Sequence, residues 1–230
     1  MIVNASKTAM ICASGATDYV ADAYLLDSDQ NRVGCGQSIK ALGVRFSNNL
    51  DMEAQVQHII KSVRSRYWTL RNLNKNGFNN EELVQVYATM IRPVVEYGSP
   101  VYHSSLTDEQ DERIERLQDH ALKCIFGTES SARTLQGLAE IETLRSRREE
   151  LTAKFARKCA ADPAFDHWFP LKEHRSSARI KSKEIYLEKK ARTERMKNSP
   201  VYYFRRILNG KVGKTYGTRN KSYREDVVRV

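Results

Sequence analysis

Three groups of residues have types and spacings that bear on chemistry. His120 and Cys124 stand four apart, one turn of a helix, which is half of a metal site. No second pair lies at a workable spacing, so the sequence predicts no bound metal. Asp108, Glu109, Asp111 and Glu112 form a carboxylate cluster in composition, but they follow Thr107 in the pattern of a helix start. Negative charge in a first turn is favoured by the helix dipole, which accounts for the cluster without catalysis. The third group is Lys61, Arg64, Trp68, Arg71 and Lys75. At about 100° per residue these five share one stripe of a helix, a quarter-turn from its apolar seam. Lysine and arginine neutralise phosphates, and an indole packs on a sugar or base, so this is a candidate nucleic-acid surface. A charged helix face is also simply what water solvates, with Trp68 tucked against a neighbour; the stripe alone leaves both readings open. His167 and His174 lie in an irregular segment, and the chain has no glycine-rich phosphate loop and no nucleophile elbow. No catalytic constellation is legible in these residues.

The stripe needs a helix, and Leu50 to Asn74 supplies one. Met52, Val56, Ile59, Val63, Tyr67 and Leu70 recur at helical spacing. Asn79 to Glu82 reads as a capping box for a second helix, whose seam is Leu83, Tyr87, Met90, Ile91 and Val94. Pro93 must bend or end that helix near Arg92, and Gly98-Ser99-Pro100 stops it. Thr107 to Gln110 caps a third helix with Ile114, Leu117, Ala121 and Ile125 inward and Gly127 as its C-cap. Short turns between three such helices imply antiparallel neighbours in a bundle. A fourth helical region from Ala132 to Ala161 offers Leu138, Ile141, Leu144, Leu151 and Phe155 as its apolar face. In it Arg145, Arg147 and Arg148 are offset by Glu149 and Glu150 beside them. Phe165, Trp168, Phe169 and Leu171 form an aromatic patch that packs back on the helices. Asn198 to Val201 starts a short helix over 202–208, ending at Asn209-Gly210. Before Leu50, short apolar runs at 8–12, 23–26 and 38–46 predict a small antiparallel sheet, too slight to stand alone.

Composition sets the frame. The chain has 230 residues and a net charge of +10. From Leu171 onward there are 18 Lys and Arg against 6 Asp and Glu, a surplus of +12, while the first 170 residues carry −2. Such a segment suits a polyanion, nucleic acid above all, or else is a solvated, poorly ordered tail. No apolar run reaches membrane-spanning length. The start, MIVNASKTAM, lacks the basic opening and long apolar core of a signal peptide, so the expectation is an intracellular protein of nucleus or cytoplasm. Cys12, Cys35, Cys124 and Cys159 are far apart, with no CxxC, and read as free thiols, mostly buried. Oligomeric state is not legible.

The ordered runs ALGVRFSNNLDMEAQVQHIIKSVRSRYWTLRNL, YATMIRPVVEYGSPVY and LTDEQDERIERLQDHALKCIFG resemble the C-terminal part of the reverse transcriptase of non-LTR retrotransposons, the jockey-like and related LINE-type elements. Tyr87, Arg92, Pro93, Glu96, Tyr97, Gly98, Pro100, Val101, Tyr102, Ile114, Glu115 and Gln118 fit the family's order. LRSRREEL and RTERMKNSPVYYFRRILN resemble later segments of the same group. The resemblance implies the end of a polymerase palm over 1–50 and a thumb-like three-helix bundle over 51–128. It implies a further helical region over 129–170 and a basic C-terminal segment over 171–230. The fold class it implies is mainly α, with an N-terminal antiparallel sheet and a partly disordered basic tail. By this resemblance Lys7 sits where the family has a lysine that assists proton transfer to pyrophosphate. Leu42, Gly43 and Val44 match the hairpin that supports the primer end, with Ala41 where the family has an aromatic. The metal-binding aspartates belong to earlier palm motifs, including a Tyr/Phe-x-Asp-Asp turn, and this sequence contains no such turn. The full-length family enzyme would use Mg; this chain is expected to hold no cofactor and to be inactive alone. Its expected partner is an RNA or DNA template–primer or other nucleic acid. The competing expectation is a helical protein-interaction module with no nucleic-acid role.

Overall fold

The computed structural model describes residues 8–12, 24–26, 32–127, 130–171, 185–188 and 190–211. Lys7, most of the basic segment after 171 and its expected disorder fall outside them. By packing, the chain divides into two compact units, Met1–Gly98 with Leu106–Arg147 and Ser99–Ser105 with Arg148–Val230. The boundaries at 50 and 128 that the resemblance implies fall inside the first unit. The chain is mostly helical with a small sheet at its N-terminal end. No helix among the described residues is long and apolar enough to cross a membrane.

In the first unit, β1 (Met10–Ile11), β2 (Tyr24–Leu26) and β3 (Arg32–Gly36) form a three-stranded sheet in the order β1-β3-β2. The β2–β3 pairing is antiparallel and β1–β3 is parallel, so the expected antiparallel sheet is mixed at its β1 edge. β4 (Ser38–Ala41) and β5 (Val44–Ser47) make an antiparallel hairpin. Leu42 and Gly43 form its two-residue turn, with φ of +47° and +87°. Positive φ at both positions is what a tight hairpin turn requires, and leucine accepts it only under strain.

α1 (Glu53–Arg64) begins three residues later than the apolar spacing suggests. The Asp51 carboxylate accepts from the Glu53 amide at 3.2 Å and ends the preceding turn. The helix expected to continue to Asn74 breaks at Ser65–Arg66 and resumes as α2 (Tyr67–Lys75). The Arg66 guanidinium and the Ser65 hydroxyl both donate to the Ser62 carbonyl, which draws the chain into a tight turn. All six seam residues from Met52 to Leu70 stay buried across the break.

α3 (Asn80–Val86) has the expected capping box, Asn79 with Glu82. A π turn, Tyr87–Ile91, then joins it to α4 (Arg92–Glu96). Pro93 has no amide to give to the preceding turn, and a π turn is the local geometry that widens the helix there. One consequence corrects the expected seam. The buried positions are Leu83, Tyr87, Ile91 and Val95, in steps of four, because the wide turn inserts a residue. Met90 is 48% exposed and Val94 only half-buried. Gly98, at φ +69°, turns the chain out of α4.

α6 (Asp108–Phe126) is capped by Thr107 and Gln110 and closed by Gly127 in the left-handed region, as expected. Its seam packs against α1, α2 and α3. Gln118, fully buried there, accepts from the Tyr87 hydroxyl at 2.7 Å and donates to the Glu142 carbonyl at 3.0 Å. The fourth helical region is two helices, α7 (Ala132–Leu138) and α8 (Leu144–Ala160). Leu138 and Phe155 are exposed, and the buried line runs Leu144, Arg148, Thr152, Ala156, Cys159. A fully buried arginine and a threonine in that line hid it from hydropathy.

The second unit has its own core. α5 (Ser99–Tyr102), the distal part of α8, a 3₁₀ turn (Pro163–Trp168), α9 (Glu194–Lys197) and α10 (Pro200–Leu208) belong to it. Ala156, Cys159, Phe169, Tyr203 and Phe204 are its buried centre, flanked by Phe165, Trp168 and Ile207. Phe165, Trp168 and Phe169 of the aromatic patch thus pack with α8 and α10, and Leu171 stays exposed. Of the four cysteines, all free, Cys159 alone is buried.

A candidate nucleic-acid interface on the first unit

The break at Ser65–Arg66 leaves the basic stripe on two consecutive helices. Lys61 and Arg64 are on the last turn of α1; Trp68, Arg71 and Lys75 follow on α2. All five are exposed, Trp68 at 69%, so the indole is not tucked against a neighbour. Among the described residues no carboxylate pairs with Lys61, Arg64 or Lys75. Arg71 donates to Nε2 of His120 at 2.9 Å, which makes that nitrogen the acceptor.

Behind the stripe, α2 is fixed to α6. The Tyr67 hydroxyl donates to the Leu117 carbonyl at 2.9 Å, and its ring lies 4.5 Å from that of His120. Burial pushes the Tyr67 phenol well above its ordinary range. The Asn74 side-chain amide donates to the carbonyls of Cys124 and Ile125 at 2.8 and 3.1 Å. These bonds satisfy the end of α6 and hold the stripe at a fixed angle.

A groove of about 670 Å³ opens between the helices. Gln57, Ile60, Arg64 and Tyr67 form one wall; Arg113, Arg116, Leu117 and His120 on α6 form the other. At one end Glu53 accepts two hydrogen bonds from Arg113, both at 2.9 Å, and others from Gln57 and Gln110. The Arg113 guanidinium above all holds the Glu53 carboxyl down to about 2, and the same pair raises Arg113. Arg116 has only an exposed pair with Glu112 at 3.3 Å, a contact worth little in water. On another face of α1, beside Gly43, Pro93 and Tyr97, His58 is held below its usual value by burial first and then by the charges of Arg45, Lys40 and Lys61.

Arg113 and Arg116 were not singled out by the sequence. Their three-residue spacing, continued by His120, was the available signal, but the acidic residues around them masked it. The acidic cluster also does more than favour a helix start. Asp111 is buried and forms an ion pair with Arg145, and Arg147 reaches Glu96 at 3.1 Å. The arginines at 145 and 147 are thus met by carboxylates from other elements, partners that the sequence did not point to. Glu150 also pairs with Lys154 at 2.8 Å.

The hairpin tip Leu42-Gly43-Val44 is a second place where the first unit is shaped with care. The Tyr97 hydroxyl donates to the Leu42 carbonyl at 2.7 Å, and the Tyr97 ring lies over Gly43, where a Cβ would meet it at 2.7 Å. A Cβ on Gly98 would meet the Val44 side chain at 2.7 Å. Leu42 is 95% exposed on top of this contact. His120 and Cys124 gather no further ligand; no group of three His, Cys, Asp or Glu suited to a metal occurs among the described residues. The described residues therefore offer no cluster that fits the Mg the resemblance implies for a whole enzyme. Comparison of the chain with protein-family models, with curated proteins and with solved structures gave no match.

Proposed function

We propose that this chain is the C-terminal part of a non-LTR retrotransposon reverse transcriptase, comprising the end of a palm, a thumb and the region after it. Its retained activity is binding of template–primer or other nucleic acid, without polymerisation by the chain alone. The observation that carries the binding reading is the exposed face of Lys61, Arg64, Trp68, Arg71 and Lys75, held rigidly against α6. In this reading α1–α2, α3–α4 and α6 are the three antiparallel thumb helices, and Leu42–Val44 is the primer-support hairpin. The ordered motifs quoted above support the ancestry. The missing Tyr/Phe-x-Asp-Asp turn supports the inactivity, because phosphoryl transfer of this class runs on two metal ions held by carboxylates.

Fluorescence anisotropy with a labelled RNA–DNA hybrid tests the binding. Affinity falls steeply with salt as condensed counterions are released, and Lys61→Ala/Arg64→Ala/Arg71→Ala/Lys75→Ala weakens it strongly. A variant that binds like the parent would overturn the assignment of this face. A primer-extension assay with magnesium yields no incorporation above a heat-treated control; incorporation would sink the claim of inactivity.

A further inference from the structure

We propose that the groove between α1 and α6 is a track for a single strand of nucleic acid, with Trp68 as the platform on which an unpaired base stacks. This rests on the nucleic-acid reading above and names the form of nucleic acid it prefers. Arg64 on one wall and Arg116 on the other bring positive charge to both sides of the groove. Of the adjoining carboxylates, Glu53 is occupied by Arg113, Gln57 and Gln110, and Glu112 makes only an exposed contact with Arg116 at 3.3 Å. Ile60, Tyr67 and Leu117 give the two walls apolar surface as well, with the Tyr67 hydroxyl turned inward to a backbone carbonyl. Walls that carry both cationic and apolar groups suit a sugar–phosphate chain. Trp68 directly follows Tyr67 of the groove wall, on α2 beyond the Ser65–Arg66 break, with most of its surface in water. An exposed indole on a helix that also lines a cationic groove is an arrangement by which proteins hold single strands. A duplex keeps its bases paired and stacked inside and offers no base face along its length, whereas a single strand does.

The test uses the full chain and three labelled probes at one salt concentration: oligo-U RNA, oligo-dT DNA and a blunt duplex of matched length. The parent binds both single strands more tightly than the duplex. Trp68→Ala weakens oligo-U and oligo-dT by about tenfold and the duplex by less than about twofold, the loss expected for one stacked base. Trp68→Phe restores most of that loss, since a phenyl ring still stacks. Arg116→Ala lowers single-strand affinity several-fold, with far-UV circular dichroism unchanged. Equal or tighter duplex binding by the parent overturns the proposal, and so does an equal or absent effect of Trp68→Ala on all three probes. The two readings fail separately. If Lys61→Ala/Arg64→Ala/Arg71→Ala/Lys75→Ala binds every probe like the parent, the nucleic-acid surface itself is wrong. If that variant loses all probes while Trp68→Ala leaves the ranking of probes untouched, the single-strand track alone is wrong.

Discussion

Two arginine-rich stretches of this chain look alike as sequence and are used in opposite ways. On α1 and α2 the cations of the stripe face water, and among the described residues none of Lys61, Arg64 or Lys75 meets a carboxylate. At the start of α8, Arg145 and Arg147 are committed to Asp111 and Glu96, and Arg148 is fully buried. The first set is electrostatically available to a partner; the second is structural. What separates them is not composition but where the rest of the chain places its carboxylates. Asp111 and Glu96 lie 34 and 51 residues from their arginines.

Four changes test that contrast. The largest effect belongs to Arg148→Ala. Removing a long side chain that is wholly enclosed destabilises the fold by about 3 kcal/mol, read from urea unfolding, with nucleic-acid affinity of the folded fraction intact. A loss below about 0.5 kcal/mol, the usual value for surface sites, would erase the distinction. Next is Lys61→Ala/Arg64→Ala/Arg71→Ala/Lys75→Ala, which lowers affinity for a hybrid duplex about a hundredfold at low salt. It also flattens the slope of log affinity against log salt by about 3, near the 0.7–0.9 expected per phosphate contact. Its unfolding midpoint moves little; a large shift would mean that the stripe is structural after all. Third, Arg145→Ala costs about 2 kcal/mol of stability, because the buried Asp111 carboxylate loses this guanidinium. Binding weakened by Arg145→Ala as much as by the stripe variant would place α8 in the interface.

The smallest effect concerns Glu53. Its folded carboxyl sits at about 2 against an ordinary value of 4.5. Between those values the unfolded chain binds the extra proton, so stability rises with pH there. The contribution is fully present above about 4.5 and is lost as pH falls toward 2. Glu53 is partly exposed, and solvent screening reduces the effect to roughly 1 kcal/mol. Glu53→Gln removes it, so the stability curves of parent and variant converge in acid and separate near neutral pH. Parallel curves would show that the Arg113 pair contributes no pH dependence.

The sequence was most legible where a residue's role is local. Both capping boxes, the Gly127 cap and the helix over 202–208 depend on neighbours a few positions away, and they stand where they were expected. The seam from Met52 to Leu70 was legible because every member is apolar. Periodicity failed where backbone geometry changed its period. The π turn before Pro93 exchanged Val94 for Val95 and put Met90 in water. It failed again where burial uses polar side chains, as with Arg148 and Thr152 on α8. In the candidate interface, the stripe was visible on one helix, but the groove needs α6, and Arg113 and Arg116 are brought opposite α1 only by the fold.

The hairpin tip has a mechanical consequence. Tyr97 grips the Leu42 carbonyl and roofs Gly43, while the missing Cβ of Gly98 leaves room for the Val44 side chain. Two glycines interlock the turn of the hairpin with the exit of α4, like the halves of a clasp. The tip is therefore anchored to the helices as well as to its own two strands. A force on the exposed Leu42 is passed to the Pro93 helix rather than dissipated by fraying. Amide exchange at 42–44 should then report opening of the helical core, slow and cooperative, where a two-stranded hairpin alone would exchange fast.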